Sequence, residues 1–123
     1  MEIGVLRRDG RTDPFFDGTA SDRLVIKRCE ACDQWFAPDA AGCPGCGEED
    51  LGWAEASGAA TLVTWTVLPK DPPAFLALVE LAEGPWLHAR LDGVAGADLR
   101  EGLPLWAVFE HPDEGESYIL FRP

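Results

Sequence analysis

Along the chain, polar and apolar positions fall into blocks of different period. "TDPFFDGTASD" opens with Asp13 and Pro14, a capping residue followed by a proline at the first helical position, where a missing N–H costs nothing. This predicts a short helix presenting Phe15 and Phe16, weakened by Gly18 and so dependent on docking. "RLVIKR" (23–28) then reads as a strand, and "QWFAPD" (34–39) as a second short one. "GEEDLGWAEASG" (47–58) is polar and broken by glycine, a connector anchored by Trp53.

From residue 60 onward the pattern is that of strands. "ATLVTWTVL" (60–68) is β-branched and aromatic and is closed by Pro69, Pro72 and Pro73. "AFLALVELA" (74–82) and "PWLHARL" (85–91) are joined across a turn at Gly84, the mark of a hairpin. "ADLREG" (97–102) reads as one helical turn capped by Asp98 and ended by Gly102, and "LPLWAVFE" and "SYILFRP" complete five strands. Five short strands with a helical turn before the fourth predict a small Greek-key barrel of the OB type. Strand 74–82 is apolar on both faces apart from Glu80, with Phe75, Ala77, Val79 and Leu81 on one side and Ala74, Leu76 and Leu78 on the other. A barrel has one interior, so the second face needs cover from the helix, the cysteine segment or another chain.

Composition narrows the class. At 123 residues and 46% hydrophobic content, one compact core is attainable and intrinsic disorder is a poor description. The longest apolar stretch, "FLALVELA", carries Glu80 and is too short to span a bilayer, and "MEIGVLRRDG" has no apolar run of the secretory type. The expected location is the cytoplasm. The net charge of −12 opposes phosphate backbones, so a nucleic-acid-binding OB barrel is the least favoured alternative. The imbalance is uneven: residues 1–28 hold six of the ten basic side chains, Arg7, Arg8, Arg11, Arg23, Lys27 and Arg28.

All four cysteines lie in "CEACDQWFAPDAAGCPGCG", as two C-x-x-C pairs: Cys29 and Cys32, then Cys43 and Cys46. Disulfides suit a different compartment, and a redox C-x-x-C belongs at a helix N-terminus. Two tight turns that each point two sulfurs the same way suit a tetrahedral four-thiolate site, with zinc favoured over iron. Gly47 follows the second pair where a positive φ is needed, and Asp33 holds the same place after the first. Four thiolates leave no coordination position for water or substrate, so one structural Zn2+ is expected.

Catalytic residues are not evident. The two histidines, His88 and His111, stand in no recognisable motif, and Ser21, Ser57 and Ser117 have no activating context. Alternation places Trp86, His88 and Arg90 on one face of a strand, a candidate partner contact.

In order, "PFFDG", the C-x-x-C…C-P-x-C-G ribbon, "W-x-E-x-S-G", "VELAEGPWLHARL" and "LREGLPLWAVF" together resemble the DUF35 family over about Pro14 to Phe121. Asp33 departs from the family's usual glycine, and Ser57-Gly58-Ala59-Ala60-Thr61 from its S-G-x-G-T. The resemblance implies a rubredoxin-like zinc ribbon joined to an OB-fold. The division is then an N-terminal helix and lead-in strand (1–28), the ribbon (29–47), and connector plus barrel (48–123). It also implies a noncatalytic accessory subunit of an acyl-CoA-processing complex, bound to a thiolase-fold enzyme such as a sterol-carrier-type thiolase or a steroid side-chain aldolase. An acyl-CoA hydratase-like subunit is a further implied partner. Coenzyme A contact at the ribbon end would fall to Arg7, Arg8, Arg11, Lys27 and Arg28. A stand-alone acyl-CoA-binding module is the alternative.

Overall fold

The computed structural model describes residues 10–47, 51–70 and 73–123. One helix, α1 (Asp13–Ala20), precedes a three-stranded antiparallel sheet of β1 (Val25–Cys29), β2 (Gln34–Phe36) and β3 (Gly52–Glu55), in the order β2-β1-β3. The remaining strands are β4 (Ala59–Leu68), β5 (Ala74–Leu81), β6 (Trp86–Leu91), β7 (Pro104–Glu110) and β8 (Tyr118–Arg122). They close a barrel in the order β4-β5-β6-β8-β7, the expected OB circuit. β6 and β8 run parallel through Arg90↔Leu120 and Leu91↔Phe121; the other barrel pairs are antiparallel.

Three expectations are corrected. The stretch read as a connector contains β3, which pairs with β1 from Val25↔Glu55 to Arg28↔Gly52. Its polar, glycine-bearing sequence has little strand preference of its own; the open edge of β1 supplies the partner. The helix is flanked by Thr12 with no side-chain cap, and Asp13 lies in the first turn instead, where its charge still suits the helix dipole. The helical turn before β7 is a single 3-10 turn at Gly96–Asp98, so Asp98 ends it rather than capping it. Gly102 instead adopts a φ of +83° and donates its N–H to the Leu62 carbonyl, tying the loop to β4.

The β5–β6 hairpin forms as expected: Leu81 N–H donates to the Pro85 carbonyl (2.9 Å), and Gly84 sits at φ +115°. Phe75, Ala77, Val79 and Leu81 face the interior with Leu62, Leu91, Leu105 and Phe121. Leu24 and Ile26, from the segment leading into the ribbon, belong to this same core.

Helix α1 docks with Phe15 packed against the core, and its small residues are the ones fully buried. Gly18 and Thr19 are its buried positions, and the Thr19 hydroxyl lies 2.9 Å from the Ser117 carbonyl in the β7–β8 loop. The helix ends in a Schellman-type turn, Arg23 N–H to the Gly18 carbonyl (2.9 Å), with Asp22 in the left-handed region at φ 59°. A Cβ on Gly18 would sit 2.7 Å from Val25 Cγ2 and 2.8 Å from the Arg23 carbonyl. Gly18→Ala, a change that favours an isolated helix, is therefore expected to destabilise this fold by about 1–3 kcal/mol. Urea titration followed by far-UV circular dichroism checks the sign; a stabilised variant would contradict the close packing.

Candidate metal centre and adjoining groove

β1 runs into the first knuckle at Cys29, where the chain turns so that Asp33 N–H donates to the Cys29 carbonyl (2.8 Å). The second knuckle repeats the bond, Gly47 N–H to the Cys43 carbonyl (2.9 Å). Asp33 (φ 58°) and Gly47 (φ 76°) both take the left-handed conformation expected of them. Each turn thus aims two sulfurs at one point. All four Sγ atoms lie within 4.8 Å of one another, with Cys29–Cys46 at 3.5 Å and Cys32–Cys43 at 3.4 Å. These separations are far too long for disulfides, and they suit a tetrahedron whose edges, for Zn–S bonds of about 2.3 Å, measure roughly 3.8 Å. Each knuckle contributes one buried sulfur (Cys29, Cys43) and one exposed (Cys32, Cys46). The donor set fits one structural zinc ion, with all four positions taken by protein.

The thiols differ in their readiness to ionise. Cys32 is pushed up to about 12, first because it shares a hydrogen bond with Cys43 and next with Cys29. Burial opposes ionisation of Cys43, yet N–H groups of Cys46 and Gly45 and the neighbouring thiols bring it down to about 7. The two sulfurs of the Cys32–Cys43 pair are thus unequally ready to ionise, and a bound cation removes that asymmetry by favouring the thiolate of both.

Around the knuckles, two tryptophans act as props. Lys27 Nζ lies 5.3 Å from the Trp53 ring centre and donates to the Ala40 carbonyl (2.6 Å). The Arg28 guanidinium lies 5.8 Å from Trp35 and pairs with Asp33. Lys27 and Arg28 are consecutive on β1 and face opposite ways, so the fold does not converge them on one anion. Arg11 is exposed ahead of α1, and Arg7 and Arg8 lie outside the described residues.

Trp86, His88 and Arg90 do share one face of β6, opposite Glu80, Leu78 and Leu76 of β5. Trp86 is 53% exposed, and its indole N–H is held by a Glu80 carboxylate oxygen at 2.9 Å. Beside this row runs a groove in two adjoining parts of about 320 and 300 Å³, with Phe15, Phe16, His88 and Ile119 common to both. Ala37, Pro38 and Asp39 of the ribbon close one end, and Leu76 and Tyr118 line the other. The second face of β5 is thus covered only in part by α1. The composition of β8 carries no signal for the groove; Tyr118 and Ile119 join it through barrel closure.

His111 lies between two loops: Nδ1 is 2.8 Å from Ser117 Oγ and Nε2 is 2.6 Å from Asp22 Oδ1. The imidazole ties the turn after α1 to the β7–β8 loop, and it lines neither part of the groove. Among the described residues no helix is long and apolar enough to cross a membrane.

Comparison with known proteins places these features in context. A family model described as the ChsH2 rubredoxin-like zinc ribbon domain matches residues 16–52, and one described as the ChsH2 C-terminal OB-fold domain matches residues 53–110. The chain is 35% identical over 115 residues to a probable enoyl-CoA hydratase alpha subunit of Thermomonospora curvata, covering 89% of this chain and 36% of that protein. It therefore spans about a third of that relative's length. A DUF35 domain-containing scaffold protein of Pyrococcus furiosus is 34% identical over 93 residues, 70% of this chain and 68% of its own. Among solved structures, a chain of the Ltp2-ChsH2(DUF35) aldolase superposes with a TM-score of 0.82 at 32% identity, over 94% of this chain and 96% of its own. A DUF35 protein of unknown function from Sulfolobus solfataricus shares the fold at a TM-score of 0.59 and 18% identity, over 79% of this chain and 75% of its own.

Proposed function

Since this chain belongs to the DUF35 family, we propose that it is a noncatalytic accessory subunit of an acyl-CoA-processing complex, bound to a thiolase-fold enzyme of the thiolase or aldolase kind. The observation that carries this reading is the near-complete superposition on the DUF35 chain of an aldolase, 94% of this chain at a TM-score of 0.82. The scaffold name of the Pyrococcus relative points the same way. The hydratase name of the longer Thermomonospora relative supports a hydratase-like subunit as a second partner.

Physically, the zinc-bound ribbon and the barrel offer a rigid platform, and the groove beside Trp86 accepts an apolar anchor from the enzyme. An exposed tryptophan at the rim of an apolar groove is the kind of residue that concentrates binding energy. Co-expression with a thiolase-fold enzyme encoded beside it is expected to yield a stoichiometric complex. Trp86→Ala is expected to weaken that complex by about 30-fold, a loss of about 2 kcal/mol. Calorimetry with wild-type and variant measures this, and unchanged affinity would move the interface elsewhere. Turnover of an acyl-CoA by the isolated chain would overturn the noncatalytic assignment.

The second reading, a stand-alone acyl-CoA module, draws on the same apolar groove. It meets a difficulty in Lys27 and Arg28, which are engaged within the ribbon and diverge. Calorimetry with coenzyme A and no partner separates the two: micromolar binding supports the module, and no heat supports the scaffold.

A further inference from the structure

β4 outruns the barrel. β7 pairs only with its residues Ala59, Ala60 and Thr61, and Leu62 bonds to the same side through the Leu103 carbonyl (3.0 Å) and the Gly102 N–H (2.8 Å). From Thr64 to Leu68 the strand keeps β5 on one edge, and among the described residues nothing pairs with the other. The phase of that open edge follows from the ladder. Ala82 N–H donates to the Ala59 carbonyl, so alternation turns the backbone of Leu62 away from β5, as its bonds show. Between Leu62↔Val79 and Thr64↔Leu78, Val63 is the extra residue of a bulge, which shifts the alternation by one. Beyond it Thr64, Thr66 and Leu68 address β5, while Trp65 and Val67 turn both N–H and C=O to the open edge. These two residues are 36% and 52% exposed. "TWTVL" has no charge and no proline, the usual devices that keep such edges from pairing.

We propose that this edge pairs with the same edge of a second copy of the chain, antiparallel, about a two-fold axis at Thr66. That register sets Trp65 of each copy opposite Val67 of the other, and the outward groups form four hydrogen bonds. It also stacks an aromatic side chain on a β-branched one twice. An isologous contact must be complementary to itself, and the neighbouring registers are not. An axis at Val67 would oppose Trp65 to Pro69, which has no N–H; an axis at Trp65 would oppose Val67 to the bulged Val63. The edge buries less than the roughly 800 Å² per partner of a durable interface, so the dimer is weak and concentration-dependent. The charge of −12 on each copy opposes approach while the edge itself is neutral, so added salt strengthens the dimer. The edge shares no residue with the Trp86 groove, which leaves each copy free to carry an enzyme subunit.

Sedimentation of the zinc-loaded chain is expected to show mass rising with concentration toward a dimer, more readily in about 1 M salt, where screening acts within about 3 Å. Val67→Pro removes only an N–H aimed at the open edge, so it is expected to stay folded and monomeric. Thr66→Cys is expected to give a disulfide-linked dimer in air, because facing residues of a non-hydrogen-bonded pair have Cα atoms about 4.5 Å apart. Thr64→Cys, about 13 Å from its equivalent, is expected not to. A wild-type monomer at millimolar concentration, a dimer unaffected by Val67→Pro, or equal cross-linking at positions 64 and 66 would each overturn the proposal.

Discussion

Replacing Cys43 with serine, or stripping the metal with a chelator, is expected to unfold the ribbon while leaving the barrel strands in place. Cys43 is buried, and the contacts that hold the knuckles besides coordination are turn bonds and a few exposed side-chain pairs, each weak beside a bound metal. A structural zinc contributes on the order of 10 kcal/mol, more than a segment of this size gains from its own packing. β1 marks the boundary: Cys29 at its end belongs to the metal site, whereas Ile26 lies in the barrel core. Hydrogen exchange should therefore show amides of β2 and the knuckles losing protection while those of β5 keep it. Partner binding should fall with the ribbon, because Ala37 and Pro38 close the groove. Protons compete with the metal for thiolates, so lowering the pH releases zinc; a chromogenic chelator follows the release. Full amide protection without metal would refute the staple.

The second large effect is expected at Phe121. Its ring is wholly buried, and in β8 it faces Leu91 of the parallel neighbour β6 and Ala107 of β7. Barrel closure runs through this position, and the Phe121 carbonyl also receives the Asp92 N–H (2.8 Å). Phe121→Ala leaves that backbone bond in place and opens a cavity the surrounding strands cannot fill, costing about 3–5 kcal/mol. Domains of this size hold only about 5–15 kcal/mol in total, so the melting temperature should drop by about 10–20 °C. Trp106→Ala is the control: 57% exposed, it should shift stability by less than about 0.5 kcal/mol. Equal losses at both positions would contradict the placement of the core. Calorimetric melts decide it.

The candidate site was legible in unequal parts. The four cysteines and the left-handed residues after each pair are local chemistry, and the structure assembles them as the spacing requires. Alternation correctly aligned Trp86, His88 and Arg90, because a strand's period is a property of the backbone. The groove beside them was not legible. It exists because α1, the ribbon and β8 meet over β6, and no stretch of sequence contains that meeting. The basic residues are a further case: clustered along the chain, Lys27 and Arg28 alternate across the strand they share and bond to Ala40 and Asp33, pairings that no local pattern announces.

Sequence alone determined the strand-rich class, the order of the barrel strands along the chain, the turn at Gly84 and the metal ligands as a set. Each depends on residue type at short range: branched side chains favour extension, glycine permits positive φ, and sulfur binds zinc. Tertiary structure decided that a polar connector would become β3, that Gly18 would be packed against Val25 and the Arg23 carbonyl, and that Trp65 and Val67 of β4 would have no strand beside them on one edge among the described residues. Those outcomes turn on which backbone edges find partners and which surfaces come into contact, and such terms belong to pairs of distant segments rather than to either segment by itself.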